Sequence, residues 1–429
     1  MARLKRLRFY DYIADPVERE NAVNSLIDGS LFSVMSGLTQ PFWGAFAVQL
    51  GASDYMVGLL TSLPALMNLA AQVPSAILID RYDNRLKPTL RAAFVSRSFL
   101  LLFAFLAIVP LPLNVRAWCF ILTFAIRSFP ENMCNIAWTA MMGEMFSPRL
   151  RARIFAERNM VTTLISLLAT IGAGQMLDLV PWPSNFAALY LVGYGFVMGS
   201  WYYLTRHKEL PLSKEERTNA PAGLKAFTEV RGDRRFMKFV AGLLIIYIGF
   251  HFTAAFWTIL WVKIMGLSNT WLGMFSITSG IMSFLTYKQW GRLVERHGAQ
   301  KVLLLTAGAH AIVPLAYGRF RNPYVHLLIH VLTGTFGAGL NLSTFNVLLD
   351  VTPDATRPAY VAVYNMAMGL SSVVWPLVGV SLYQAIGMTR TLDIAFLIRI
   401  GVALAAGWFF AERTGNNQEC SGGGARKVA

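Results

Sequence analysis

Four polar residues in one apolar stretch, Arg127, Glu131, Asn132 and Asn135, are of the types that hold ions or pass protons. Arg127, Glu131 and Asn135 recur every four residues, which places them on one helical face. A guanidinium, a carboxylate and an amide in a row suit a polar solute or a proton. Pro130 beside them lacks a backbone donor and favours a kink. The bland alternative is an Arg127–Glu131 pair at spacing four that neutralises only itself. Asp28, in Ile27-Asp28-Gly29-Ser30, is a second candidate, and the alternative there is a helix-end carboxylate in water. Tyr247 and His251 are also four apart; His330, Asn341 and Asn346 come later, with Gly334, Gly337 and Gly339 between the first two. Histidine titrates near neutral pH. A lone helical His also serves as a packing hydrogen bond, and the glycines permit close helix approach. Aromatics at Phe42, Trp43 and Phe46, and at Phe250, Phe252, Phe256 and Trp257, suit the floor of a pocket for an amphipathic solute, or plain packing.

The elements that carry these residues give them weight. Of 429 residues, 55% are hydrophobic and 14% are charged, too few charges to cover a soluble protein of this length. Apolar runs long enough to cross roughly 30 Å of hydrocarbon recur throughout. Twelve are predicted: 22–48, 55–79, 90–110, 115–142, 157–180, 185–205, 237–263, 270–292, 300–318, 323–348, 359–386 and 392–412. Each reads as a helix, because a span must satisfy its own backbone hydrogen bonds. A membrane barrel would show short alternating segments instead. Charges within such spans are costly and face a cavity or a partner.

The second half of the chain repeats the first. Gly51, Ser53, Gly58, Asp80 and Arg81 return at a constant offset as Gly266, Ser268, Gly273, Glu295 and Arg296. A weaker echo pairs Pro148 with Pro353 and Asn159-Met160 with Asn365-Met366. Parallel repeats of apolar helices are a mark of transporters built from two halves.

The net charge of +15 is an orientation signal rather than a nucleic-acid footprint. Of 38 Lys and Arg, Arg116, Lys263, Arg319, Arg321 and Arg390 lie near one set of helix ends, and Arg97, Arg127, Lys288 and Arg399 lie inside spans. The others fall in the N-terminal tail, the even-to-odd loops and the C-terminal tail. This positive-inside pattern predicts both termini in the cytoplasm of a plasma (inner) membrane protein. A minor share of the basic residues is expected to touch anionic lipid headgroups. The start reads as uncleaved, and three cysteines offer no disulfide framework. The predicted organisation is a cytoplasmic segment (1–21), a six-helix bundle (22–206), a charged cytoplasmic linker (207–236), a second six-helix bundle (237–412) and a disordered tail (413–429).

Two loops carry the most specific pattern. After the second helix the chain reads Asp80-Arg81, then Arg85 and Lys87; after the eighth it reads Gly291, Glu295-Arg296, Gly298 and Lys301. An acid–Arg pair at the helix end followed by a tight basic turn resembles the loop signature of the major facilitator superfamily. The first copy has Ala76 and Asp83 where glycines are usual, and the second has Glu295 for Asp. The resemblance covers nearly the whole chain. It implies an all-α membrane protein: twelve transmembrane helices in two pseudo-symmetric six-helix bundles around a central cavity lined by helices 1, 4, 7 and 10. It also implies alternating access, with Asp80, Arg81, Arg85, Glu295 and Arg296 at the inner gate; the alternative for these charges is orientation alone. Basic residues of the loop before helix 5, from Arg149 to Arg158, are read as lipid anchors, as partners of Asp80 or as topology charge. Arg127 resembles the helix 4 arginine of proton-driven exporters in that family, although the Gln and Gly that follow it there are absent. Helix 5 has Gly172-Ala173-Gly174 and no proline, which departs from the multidrug antiporter pattern.

No phosphate-binding Gly-x-x-x-x-Gly-Lys loop, zinc pattern or nucleophile–base constellation occurs in the sequence, so ATP, cofactors, metals and enzyme chemistry are not expected. The expected function is secondary transport of a small organic solute, coupled to protons, with export favoured over uptake. Asp28, Arg127, Glu131, Asn135, Tyr247, His251, His330 and Asn341 are the candidates for solute and proton handling. The alternative is a non-transporting sensor or assembly partner of the same fold.

Overall fold

The computed structural model describes residues 10–80, 82, 84–208, 230–353 and 357–401. They are helical throughout, with no strand among them. In chain order the helices are α1 (Pro16–Thr39, continued by a 3-10 turn Gln40–Phe42 and by Trp43–Gln49), α2 (Asp54–Asp80), α3 (Leu86–Ile108), α4 (Leu113–Met145), α5 (Pro148–Leu179) and α6 (Ser184–Leu204). Then come α7 (Arg234–Phe252, resuming as Phe256–Thr258 and a wider turn Ile259–Ile264), α8 (Asn269–His297), α9 (Ala299–His310 and Ile312–Arg319), α10 (Pro323–Val351) and α11 (Arg357–Ile386). A further helix, α12, is described over 388–401, so the second part of the run expected to 412 lies outside the described residues. Helices α3, α5, α7, α9, α10 and α11 are each long and apolar enough to cross a membrane by length and composition.

Contacts divide the chain into two compact units: Met1–Ala220 with Thr258–Ile277, and Pro221–Trp257 with Thr278–Ala429. In the first, α1 packs on α5 and α6, α2 on α4, and α3 on α4 and α6. The second reproduces part of this scheme: α7 packs on α11 and α9 on α10, the pairings that correspond to α1 with α5 and α3 with α4. The sequence repeat is visible in the backbone too. Gly51 and Gly266, one repeat apart, both take left-handed conformations, with φ of 87° and 59°, where each turns the chain after α1 and α7.

Helix α1 begins at Pro16, earlier than the apolar run. Asp15 explains the early start, since its carboxylate accepts from the Val17 and Glu18 amides and Pro16 supplies a preset first turn. Ahead of it, Tyr10 and Ile13 of the expected cytoplasmic segment are buried against Met141, Met145 and Phe146. Where an unbroken α7 was expected, the helix stops at Phe252 and resumes at Phe256. At this break the Thr253 amide turns to the His251 carbonyl, which leaves the Gly249 carbonyl without its helical donor. Arg399 on α12 supplies one. Its Nε donates to Gly249 O (3.0 Å) and its Nη2 to Thr253 Oγ1 (2.7 Å), and a third nitrogen meets His310 Nδ1 (3.1 Å). Arg399 is 4% exposed and lies over the Phe250 ring.

Replacing Gly51 or Gly266 by Ala forces a Cβ into a left-handed residue and is expected to cost about 1 kcal/mol or more. Gly51→Ala should cost the more of the two, because its Cβ would also lie 3.1 Å from that of Leu113. Gly172→Ala, at a helical position with no neighbouring atom within 4 Å, should be neutral or stabilising. Apparent melting temperatures of the three detergent-solubilised variants check this ordering.

Candidate functional site

Helix α4 presents the first cluster. Arg127 and Glu131 pair across one turn, with Nη2 3.4 Å from Oε2. Arg127 lies about 21 Å along α4 from Leu113 at the helical rise per residue, near the middle of the helix. Its guanidinium sits 4.9 Å above the Trp43 ring, which packs edge-on against Phe124 at 4.0 Å. Among the described residues, two buried donors here, Arg127 Nε and Trp43 Nε1, have no hydrogen-bond partner. Unmet donors and acceptors away from water are costly unless a ligand or water completes them. A cation, an acid and an indole can therefore receive a solute that carries both a ring or apolar body and a polar group. Asn135 follows one turn on and is exposed.

Asp28 has a different setting. It is 3% exposed and accepts a short hydrogen bond from Ser200 Oγ on α6. It belongs to a polar face of α1 at helical spacing. Glu18 accepts from the Ser147 amide ahead of α5 (2.7 Å), Asn21 exchanges two hydrogen bonds with the Lys208 backbone (2.8 and 2.9 Å), and Asn24 donates to Arg206 O (3.2 Å). These contacts satisfy backbone groups left open at helix ends. Arg158 of α5 closes the far side: its Nε donates to Ser25 O (3.1 Å), and its guanidinium occupies the space that a side chain on Gly29 would fill. Cys134 lies within electrostatic reach of both Glu131 and Asp28, and His207 within reach of Asp28 and Arg158.

In the second unit the structure brings Tyr247 and His251 together, with rings 5.6 Å apart, and His251 Nδ1 shares a hydrogen bond of 2.9 Å with Ser371 Oγ on α11. His330 turns instead to α9, sharing 2.7 Å with the Tyr317 hydroxyl and 2.9 Å with the His326 carbonyl. Asn341 is exposed, and Asn346 donates to Leu342 O of its own helix.

Among the loop residues, Asp80 ends α2 and its side chain is outside the described set, as is all of Arg81. Arg85 donates to Ile79 O (3.0 Å), folding the turn back on the end of α2. Glu295 and Arg296 are exposed.

Several residues escaped the sequence reading. Ser200 and His207, with Arg158 that the sequence offered as a lipid anchor, a partner of Asp80 or topology charge, complete the surroundings of Asp28; the helical spacing of Asn21, Asn24, Ser25 and Asp28 was the available signal. At the other helix ends, Asp178 accepts from the Asn269 and Thr270 amides (2.8 Å each), capping α8 from α5, and Lys263 pairs with Asp54 at 2.7 Å. Both pairings join residues far apart in sequence and leave no local trace.

His207 lies beyond the last turn of α6, and burial pushes its pKa below the ordinary 6.5. Between the folded and unfolded pKa values the folded state binds fewer protons, so stability falls as pH is lowered through about 6.5. The apparent melting temperature should therefore drop between pH 7.5 and 5.5, and His207→Gln should flatten that drop.

The chain matches the description of the Major Facilitator Superfamily over residues 29–288 and 287–425. It is similar to the Staphylopine export protein of Staphylococcus aureus (strain Mu50), with 24% identity over 36% of this chain and 38% of that protein. It is also similar to the Multidrug resistance protein MdtG of Dickeya zeae (strain Ech586), with 27% identity over 40% of this chain and 44% of that protein. The matched stretch thus spans about two-fifths of each relative's length. Among solved structures, the nucleoside transporter NupG superimposes with a TM-score of 0.69 at 14% identity, covering 91% or more of both chains. A D-xylose-proton symporter does so with a TM-score of 0.67 at 14% identity, covering 91% of this chain and 96% of that one. At such identity these two likenesses establish the fold.

Proposed function

The chain belongs to the major facilitator superfamily, and from that premise we propose that it is a secondary transporter of a small organic solute. It works by alternating access across a plasma (inner) membrane, with both termini in the cytoplasm and protons as the coupling ion. The observation that carries this reading is the pair of buried Arg127 with half-buried Glu131 over Trp43, with unmet hydrogen-bond donors beside it, near the middle of α4. Charge at that depth is costly and is kept where a solute or proton uses it. Arg127 can pair with Glu131 or with a negative or polar group on the solute. A proton taken up by Glu131 would release Arg127 to the solute, and its departure would restore the ion pair. Asp28 and His207 extend the titratable path toward the end of α6. Export is the favoured direction, because both similar curated proteins carry export or resistance in their names.

A thermal-shift screen of the purified protein against a solute library, followed by flux in proteoliposomes under an imposed pH gradient, tests the reading. Arg127→Gln should weaken binding of the stabilising solute about ten-fold or more, as expected for loss of a charge-assisted hydrogen bond. Glu131→Gln should abolish proton-driven accumulation while sparing solute exchange. Asp28→Asn should lose proton-driven flux; unchanged flux would remove Asp28 from the path. Wild-type protein that binds a solute yet moves none would favour the sensor.

A further inference from the structure

A lateral groove of about 490 Å³ lies between α2, α3 and α4 in the first unit. That is within the roughly 300–1,000 Å³ typical of ligand sites. Val95, Ile126, Phe129 and Pro130 are among its lining residues, and the walls are apolar except for Tyr82 and Arg91 at the end that carries the α2–α3 loop. The groove opens to the outside of the helices: Val95 is 49% exposed and Ile126 is 52% exposed. In a membrane protein, apolar side chains so placed meet hydrocarbon rather than water, so an occupant enters from the bilayer.

The polar end is cationic. Arg91 is exposed and donates to the Tyr82 hydroxyl (3.2 Å), and its guanidinium faces that ring at 5.9 Å. Among the described residues it meets no carboxylate. Lys87 is exposed one turn before it on α3. A cation at the membrane end of an apolar slot is complementary to one class of molecule, an acyl chain with an anionic headgroup. We propose that this groove is a binding site for an anionic phospholipid of the leaflet facing the α2–α3 loop. One acyl chain lies along Val95, Ile126 and Phe129, and the phosphate meets the Arg91 guanidinium, oriented by Tyr82.

The test is native mass spectrometry of the full-length protein released from detergent after addition of phosphatidylglycerol or phosphatidylcholine. The wild type should retain phosphatidylglycerol in preference, and Arg91→Gln should lower that preference about five-fold, the weight of one basic residue at an anionic surface. Val95→Trp should fill the slot and lower retention of both lipids. Ile126→Trp fills it from the opposite wall and serves where Val95→Trp is poorly folded. The proposal is overturned if Arg91→Gln keeps the wild-type preference, or if both tryptophan variants retain as much lipid as the wild type. It is equally overturned if an amphipathic cation such as tetraphenylphosphonium, and not phosphatidylglycerol, is what the tryptophan variants fail to hold.

Discussion

A charge taken into hydrocarbon must find a counter-charge, a hydrogen bond or an aromatic face, and much of this structure is arranged around that constraint. Arg127 meets it with Glu131 and the face of Trp43. Arg399 meets it with no acid among the described residues, bonded to a carbonyl, a hydroxyl and an imidazole, and stacked on Phe250. Asp28 meets it with a serine hydroxyl, inside the packed α1–α6 contact. The three solutions differ in what they leave over. Arg399 and Asp28 are enclosed by protein groups, whereas the α4 cluster keeps two buried donors unmet among the described residues, which is why it is the stronger candidate for contact with a solute.

Helix ends pose the same problem in weaker form, since each leaves backbone groups open. Helix α1 answers for its neighbours: Glu18 bonds the entry of α5, and Asn21 and Asn24 bond the exit of α6. At the opposite ends Asp178 covers the first amides of α8, where its negative charge also suits the positive end of the helix dipole. Side chains whose type alone would mark them as chemistry therefore do structural work. Asp28 is at once part of the α1–α6 seam and near His207 and Arg158.

The break in α7 shows how a buried charge and a backbone defect can be solved together. Gly249 gives Arg399 room, because a Cβ there would lie 2.6 Å from the arginine's Cγ. The carbonyl freed by the turn at Thr253 then becomes an acceptor for the guanidinium. Either feature alone would be unfavourable in a membrane helix; bonded to each other, both are satisfied.

Composition and periodicity alone determined that the chain is helical and membrane-spanning, that its halves repeat, and which polar residues lie within spans, because these properties depend on residues close in sequence. The Arg127–Glu131 pair was legible for the same reason: an i,i+4 contact is local. Tertiary structure decided what each buried group faces. Asp28 meets Ser200, His330 meets Tyr317, His251 meets Ser371 and Asp178 meets Asn269. Most of these partners lie tens to hundreds of residues away, and the helical period fixes only which residues share a face, not which neighbour packs against it.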